Sequence, residues 1–173
     1  MKTKSLKSYK TPLRYPGGKS RALSKLFQFI PDLKDYTEFR EPFLGGGSVA
    51  IEIGKRYPHI DIWVNDLYEP LYNFWKVLQS DGDKLKDILL QLKQRHPDFG
   101  SAKQLFLDAK DYLAKPVGNS IDRAVAFYVV NKCSFSGLTE SSAFSKQASK
   151  SNFSINGIEK LPEYSLMIKK WKI

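Results

Sequence analysis

The chain has 173 residues, 42% of them hydrophobic and 13% aromatic, which predicts one globular domain, or one domain that carries an inserted lobe. Its single cysteine, Cys133, excludes an intrachain disulfide and a multi-cysteine zinc site, so we expect a reducing, cytoplasmic setting and no bound metal. The formal net charge of +10 favours a polyanionic partner, and no apolar run approaches the roughly 18 residues that a membrane span needs.

The N-terminal region is basic before it becomes structured. Eight Lys or Arg residues precede the first acidic residue, Asp32. Up to Lys10 these residues fit a solvated tail and a nucleic-acid contact equally well. The stretch RYPGGKSRALSKLFQFIP then predicts a Pro-Gly-Gly turn and a helix from about Ser20 to Ile30, which Pro31 ends.

A strand, a glycine turn, a helix and a second strand follow. YTEFREPF predicts the first strand, and after three glycines SVAIEIGKRYP predicts a helix that Pro58 closes. The segment IDIWV, residues 60–64, is rich in β-forming residues and predicts a second strand that ends at Asn65 and Asp66. This order indicates a βαβ unit, and hence an α/β fold.

The chain after Asp66 changes to helical periodicity. Four segments each predict a helix: EPLYNFWKVLQS, DKLKDILLQLKQRH, SAKQLFLDAKDYLA and SIDRAVAFYVVNK. Residues 134–154 are rich in serine and include a glycine, which predicts a hairpin or surface loop rather than a helix. The last segment, IEKLPEYSLMIKKWKI, begins another helix or strand.

The glycine turn is the strongest candidate for a ligand site. Glycine permits a close backbone approach, and the helix that follows points free N–H groups at the ligand. Gly45, Gly47 and Ala50 have the spacing of a dinucleotide fingerprint, and Asp66 follows Gly47 by 19 residues, where a ribose-binding acid belongs. Two ligands are open at this point, a nicotinamide dinucleotide and S-adenosylmethionine, and a tight turn without any ligand is the third reading.

Four motifs in order connect this chain to a known family. RYPGGK, EPFLGGGSV, VNDL and NKCSFSGLTES, spread from about Leu13 to Leu161, resemble those of the Dam-type (D12 class) adenine-N6 DNA methyltransferases. The resemblance implies a Rossmann-like methyltransferase fold that uses S-adenosylmethionine, with an inserted, mainly helical target-recognition lobe. It also implies that the methyl donor contacts Tyr15, Lys19, Phe43, Gly45, Gly47 and Asp66.

The same resemblance divides the chain into three parts. Residues 1–70 would form the methyl-donor part and residues 71–157 the recognition lobe, with a DNA-facing hairpin at about 134–154. Residues 158–173 would return to the methyltransferase domain. Double-stranded DNA is the implied partner, and the expected DNA contacts are Arg123, Ser134, Ser136, Thr139, Lys146 and Lys150. Around them, we expect Phe135 and Leu138 to anchor the hairpin in the core and Asn131 to cap a helix end.

One motif of the family does not occur in this sequence. The family holds the target adenine with an Asp- or Asn-Pro-Pro-aromatic box, and none of the nine prolines here adjoins another. The sequence therefore predicts no catalytic residue, an incomplete sheet, no methyl transfer by this chain alone, and either self-association or a complementing chain. A non-catalytic nucleic-acid-binding module and a dinucleotide-binding oxidoreductase fragment remain the alternative functions.

Overall fold

The computed structural model describes residues 11–116, 118–137 and 141–173. The expected DNA contact Thr139, the expected core anchor Leu138 and the lysines up to Lys10 lie outside these residues. Within the described part, no helix is long and apolar enough to cross a membrane. The strands are β1 (Glu38–Glu41) and β2 (Asp61–Val64), and the helices are α1 (Leu23–Leu26), α2 (Ser48–Arg56), α3 (Glu69–Arg95), α4 (Phe99–Ala114), α5 (Ser120–Cys133), α6 (Lys146–Ser151), α7 (Ile155–Glu159) and α8 (Leu161–Met167).

The expected βαβ unit is confirmed. Strands β1 and β2 pair in parallel, with Glu38 opposite Asp61 and Glu41 opposite Val64, and α2 connects them. Alternate residues of β2 are buried, as expected for a strand with one face on a core. On the other side of β2, Lys172 forms a parallel bridge with Trp63, and the Lys172 N–H donates to the Ile62 carbonyl at 2.9 Å.

The helical block packs around α3 and α5. Phe74 of α3 stacks on Tyr128 of α5 with ring centroids 5.9 Å apart, and both side chains are fully buried. The sequence predicts two helices where α3 is a single one, which bends at Asp81 (φ −132°, ψ 35°) instead of ending there. At the bend, a side chain on Gly82 would lie 2.5 Å from Ser165 Cβ, so α8 packs directly on the α3 backbone.

Two expected elements differ from the structure. The helix expected over residues 20–30 is reduced to a 3-10 turn (Lys19–Arg21) and α1, because only Leu23 is buried there and short helices depend on packing. Of the expected hairpin, the described residues pair at its base, where Ser134 and Phe144 form an antiparallel bridge. Beyond it, the Ser145 hydroxyl accepts from the Ala148 N–H and caps α6, so the hairpin prediction is wrong for residues 146–151.

Candidate functional site

A cavity of about 630 Å³ opens at the carboxyl ends of β1 and β2, beside the N-terminus of α2. Its volume is in the range of small-molecule sites, and the ends of parallel strands are where α/β proteins bind ligands. Five of the six residues expected to contact a methyl donor line this cavity: Tyr15, Lys19, Phe43, Gly45 and Asp66. The structure thus brings together residues that are up to 51 positions apart in the sequence.

The glycine turn approaches Tyr15 closely. Gly45 has a φ of 51°, and a side chain there would place its Cβ 3.0 Å from Tyr15 Cε1. A Cβ on Gly46 would lie 3.1 Å from Tyr15 Cβ. Burial and the nearby Asp66 carboxylate raise the pKa of Tyr15, so its hydroxyl keeps its proton and is available as a donor. The turn therefore holds an aromatic ring and a hydroxyl at the wall of the cavity.

Gly47, the sixth expected donor contact, does not line the cavity. It has a φ of 72° at the start of α2, and a Cβ there would lie 2.7 Å from Trp75 Cζ2. Trp75 in turn donates its indole N–H to the Gly45 carbonyl at 3.1 Å. In the structure Gly47 lets the turn rest on a buried tryptophan, and its contact with a methyl donor stays a prediction.

Asp66 fastens the glycine turn to the end of β2. Its Oδ2 accepts from the Gly45 N–H at 2.9 Å and its Oδ1 from the Tyr68 N–H at 3.1 Å. A carboxylate accepts about four hydrogen bonds, so each oxygen retains capacity for a ligand hydroxyl. Phe43, which lines the same cavity, is 81% exposed, and Leu67, the residue after Asp66, is 93% exposed. The site combines a pre-oriented acceptor with uncovered apolar surface.

Glu41 is a residue of this cavity that the sequence reasoning missed. Its Oε2 accepts from the Ala50 N–H of the first turn of α2 at 3.0 Å. Burial raises the pKa of Glu41 to about 7, although the Ala50 hydrogen bond and the charge of Lys19 act to lower it. An acid at the carboxyl end of a strand that precedes a glycine turn was the available signal. In its ionised form this side chain suits a cationic group of a ligand.

Two of the expected DNA contacts are buried. Arg123 forms an ion pair with Glu69 and donates to the Lys115 carbonyl at 2.8 Å. Ser134 has no exposed surface, and its hydroxyl donates to the Asn131 carbonyl at 3.3 Å. Neither side chain lies on a surface that DNA can reach, because each forms hydrogen bonds within the helical block. We assign both to the packing of this block.

The other described DNA candidates are exposed. Lys146 and Lys150 lie on α6, and Ser136 lies in the turn after α5 with a φ of 56°. Phe135 of the same turn is 68% exposed, so the expectation that it anchors the hairpin in the core is wrong. A second cavity of about 320 Å³ extends from Ser136 to Tyr15, where it adjoins the first.

Asn131 does not cap a helix end. Its side chain is buried and forms hydrogen bonds with the backbone of Arg14, which is 117 positions away in the sequence. The residue thus joins the C-terminal end of α5 to the segment that carries Tyr15.

The parallel βαβ unit, the glycine turn and the cavity at the strand ends define an α/β protein with a candidate ligand site at the position where such folds bind ligands. The chain matches the family model described as D12 class N6 adenine-specific DNA methyltransferase over residues 15–173, and it belongs to that family. The resemblance read from the motifs is confirmed.

Two curated relatives are similar over most of this chain. It is 30% identical over 126 residues to a DNA N-6-adenine-methyltransferase of Escherichia phage P1, an alignment that covers 73% of this chain and 15% of the relative. It is 28% identical over 133 residues to the type II methyltransferase M.MjaIII of Methanocaldococcus jannaschii, which covers 73% of this chain and 46% of the relative. The chain therefore spans less than half the length of either relative.

Proposed function

We propose that this chain is the donor-binding and DNA-recognition part of an enzyme that transfers a methyl group from S-adenosylmethionine to N6 of adenine in double-stranded DNA. The observation that carries the proposal is the cavity at the strand ends, where Tyr15, Glu41, Gly45 and Asp66 meet. Family membership supports the reaction class. In this reading, the βαβ unit is the start of a Rossmann-like sheet and the helical block is a target-recognition lobe.

The chemistry of the cavity fits the parts of S-adenosylmethionine. Asp66 has free acceptor capacity for the two ribose hydroxyls, and Phe43 and Leu67 offer apolar surface for the adenine. Glu41 suits the ammonium or sulfonium charge, and Lys19 suits the carboxylate of the methionine end. When bound, the donor supplies a methyl group that is activated by the positive sulfur. The residues of this chain bind and orient it.

The acceptor half of the reaction needs groups that this sequence does not provide. The amine of adenine is a weak nucleophile, so the base must leave the helix and be held against the methyl group. None of the nine prolines forms the Pro-Pro pair of the box that does this in the family. We therefore assign binding, and no catalytic residue, to this chain, and we expect a complementing chain or a longer protein to supply the acceptor site.

Titration calorimetry with S-adenosylmethionine and with NAD tests the donor assignment. We expect binding of the first and not of the second. Asp66→Ala should raise the dissociation constant for S-adenosylmethionine by about 10-fold or more, because a hydrogen bond to a charged group contributes roughly 1.5–3 kcal/mol. Asp61→Ala is the matched control, since Asp61 is the first residue of β2, the strand that precedes Asp66, and pairs with Lys172 at the sheet surface.

Each other result points to a different function. Binding of NAD alone would support the oxidoreductase reading, and binding of neither ligand would support a nucleic-acid module without a cofactor. Equal losses for the two aspartate variants would remove Asp66 from the site.

A further inference from the structure

Asn131 joins two segments that belong to different sites. Its side chain is fully buried. Its Oδ1 accepts from the Arg14 N–H at 3.0 Å, and its Nδ2 donates to the carbonyl of Arg14 at 2.6 Å and to that of Gly137 at 3.2 Å. A single amide thus holds both backbone groups of Arg14 and, at the same time, the turn that follows α5.

The turn is also in direct contact with Arg14. Gly137 has a φ of 74°, and a Cβ on it would lie 2.7 Å from both the Cβ and the carbonyl oxygen of Arg14. The Arg14 guanidinium donates to the Ser134 carbonyl at 2.9 Å. With contacts from the backbone, from the Arg14 side chain and from Asn131, the turn and Arg14 cannot move independently.

The residue after Arg14 borders both cavities. Tyr15 lines both the 630 Å³ cavity and the 320 Å³ cavity, and its ring rests on Gly45 of the glycine turn. The smaller cavity continues to Arg21 and to Ser136 in the turn after α5. Tyr15 is therefore part of a wall common to both cavities, and Asn131 holds the preceding residue, Arg14, from the side of the helical block.

We propose that Asn131 is a positioning residue that makes DNA and the methyl donor bind cooperatively. DNA that contacts the turn at Ser136 would shift this turn and, through Asn131, move Arg14 and Tyr15 with it towards the position that a bound donor favours. A donor then binds to a wall that already has this position, and by linkage the donor tightens DNA binding by the same factor. The inference rests on the proposed function, which assigns the larger cavity to the donor and the helical block to DNA recognition, and on the expected DNA contact at Ser136.

The test measures one ratio, the dissociation constant of a donor-site ligand without DNA divided by that with DNA. The ligand is tritiated S-adenosylhomocysteine, which has no methyl group to transfer, in equilibrium dialysis against the full chain. The DNA is fragmented bacterial DNA that lacks N6-methyladenine and so offers every short sequence. For the wild type we expect a ratio of about 5 or more, the lower end of ordinary coupling.

Two variants should abolish the coupling by different routes. Asn131→Ala removes the three hydrogen bonds, and Gly137→Ala forces the turn away from Arg14. In both variants, we expect each ligand to bind in the absence of the other while the ratio falls below about 2. The reason is that the coupling, and not the binding of either ligand, depends on the contact between the turn and Arg14. Asn119→Ala is the matched control, because Asn119 caps the other end of the same helix and should leave the ratio unchanged.

A wild-type ratio of 1, or an undiminished ratio in folded Asn131→Ala, would overturn the inference. Circular dichroism establishes that each variant is folded. If Asn131→Ala is not, Gly137→Ala and the wild-type ratio still decide the matter. A wild type that binds neither ligand rejects the proposed function itself, and the coupling with it. A wild type that binds both independently rejects the coupling alone.

Discussion

At the scale of single residues, Glu41 is placed between opposing effects. Burial favours its neutral form, whereas the Ala50 N–H and the charge of Lys19 favour the ionised form, and the resulting pKa is about 7. A cationic ligand in the same cavity favours the ionised form further. Binding of such a ligand near pH 7 should therefore release a proton from Glu41.

The affinity for S-adenosylmethionine should consequently depend on pH through Glu41. Below pH 7 the side chain is protonated in the free chain, so affinity should fall as pH decreases, by up to about 10-fold per unit. Glu41→Gln keeps an acceptor for the Ala50 N–H and should flatten the profile. Calorimetry between pH 6 and 8, in buffers of different ionisation enthalpy, measures both affinity and proton release. An unchanged slope in Glu41→Gln would remove this residue from the binding step.

Two glycines with nearly equal φ angles separate backbone strain from packing. Gly17 (φ 73°) has no atom within 4 Å of a built Cβ, whereas the Cβ of Gly47 (φ 72°) would lie 2.7 Å from the Trp75 ring. Gly17→Ala should cost about 1–2 kcal/mol in free energy of unfolding, and Gly47→Ala a further 1–3 kcal/mol or so. Urea unfolding followed by tryptophan fluorescence gives both values. Equal losses of unfolding free energy in the two variants would show that the Trp75 ring moves aside for the added methyl group.

At the scale of elements, the sequence predicted the helices and strands that depend on residues close together in the chain. The βαβ unit follows from apolar periodicity and a glycine turn, and its strands end where Asp66 and Glu41 face the cavity. The bend in α3 was not predictable, because Gly82 is kept there by α8, more than 70 positions away. The contact between Asn131 and Arg14 spans 117 positions and has no local signal.

Composition misled the reading of residues 134–154 for a related reason. Serine favours loops, but it also favours helix N-caps, and Ser145 caps α6 while Ala148 and Phe153 are buried against the helical block. The pattern of burial, which the sequence does not show directly, decides between the two outcomes. It also reverses the roles of Phe135 and Arg123, since the aromatic residue is exposed and the arginine is buried.

Helix α6 should contribute to DNA affinity by electrostatics. Lys146 has its ammonium 5.1 Å from the centre of the Phe99 ring, while Lys150 is exposed, so Lys150→Ala is the cleaner variant. A lysine that neutralises one phosphate contributes about 0.9 to the slope of log affinity against log salt. Fluorescence anisotropy with labelled duplex at several salt concentrations should show a slope lower by about 1. Lys169→Ala, at an exposed lysine beyond α8, controls for net charge, and an equal change there would contradict a contact at α6.

At the scale of the whole molecule, the described residues cover one face of the small sheet and leave the other largely exposed. Phe39, Ile62 and Val64 lie on the core side, while Arg40 and Trp63 point to the other side and remain exposed. Parallel sheets in α/β proteins normally have both faces covered. The Arg40 and Lys172 side chains lie over the Trp63 ring, with the Lys172 ammonium 4.5 Å from its centre, and give it partial cover. This face is the part of the described surface best suited to a second chain.

We therefore expect the purified chain to associate, with itself or with a complementing chain, through the face around Trp63. Sedimentation velocity at increasing protein concentration should show a rising mean mass, because a partly exposed aromatic ring and a strand edge without a described neighbour both gain from a partner. Trp63→Ala should shift the chain towards the monomer. Leu67→Ala, which removes an even more exposed apolar side chain next to Asp66 in the sequence, should not. A wild type that stays monomeric and unfolds cooperatively would contradict this expectation. The Arg40 and Lys172 side chains over Trp63 would then cover the exposed face of the sheet well enough for it to be stable without a partner.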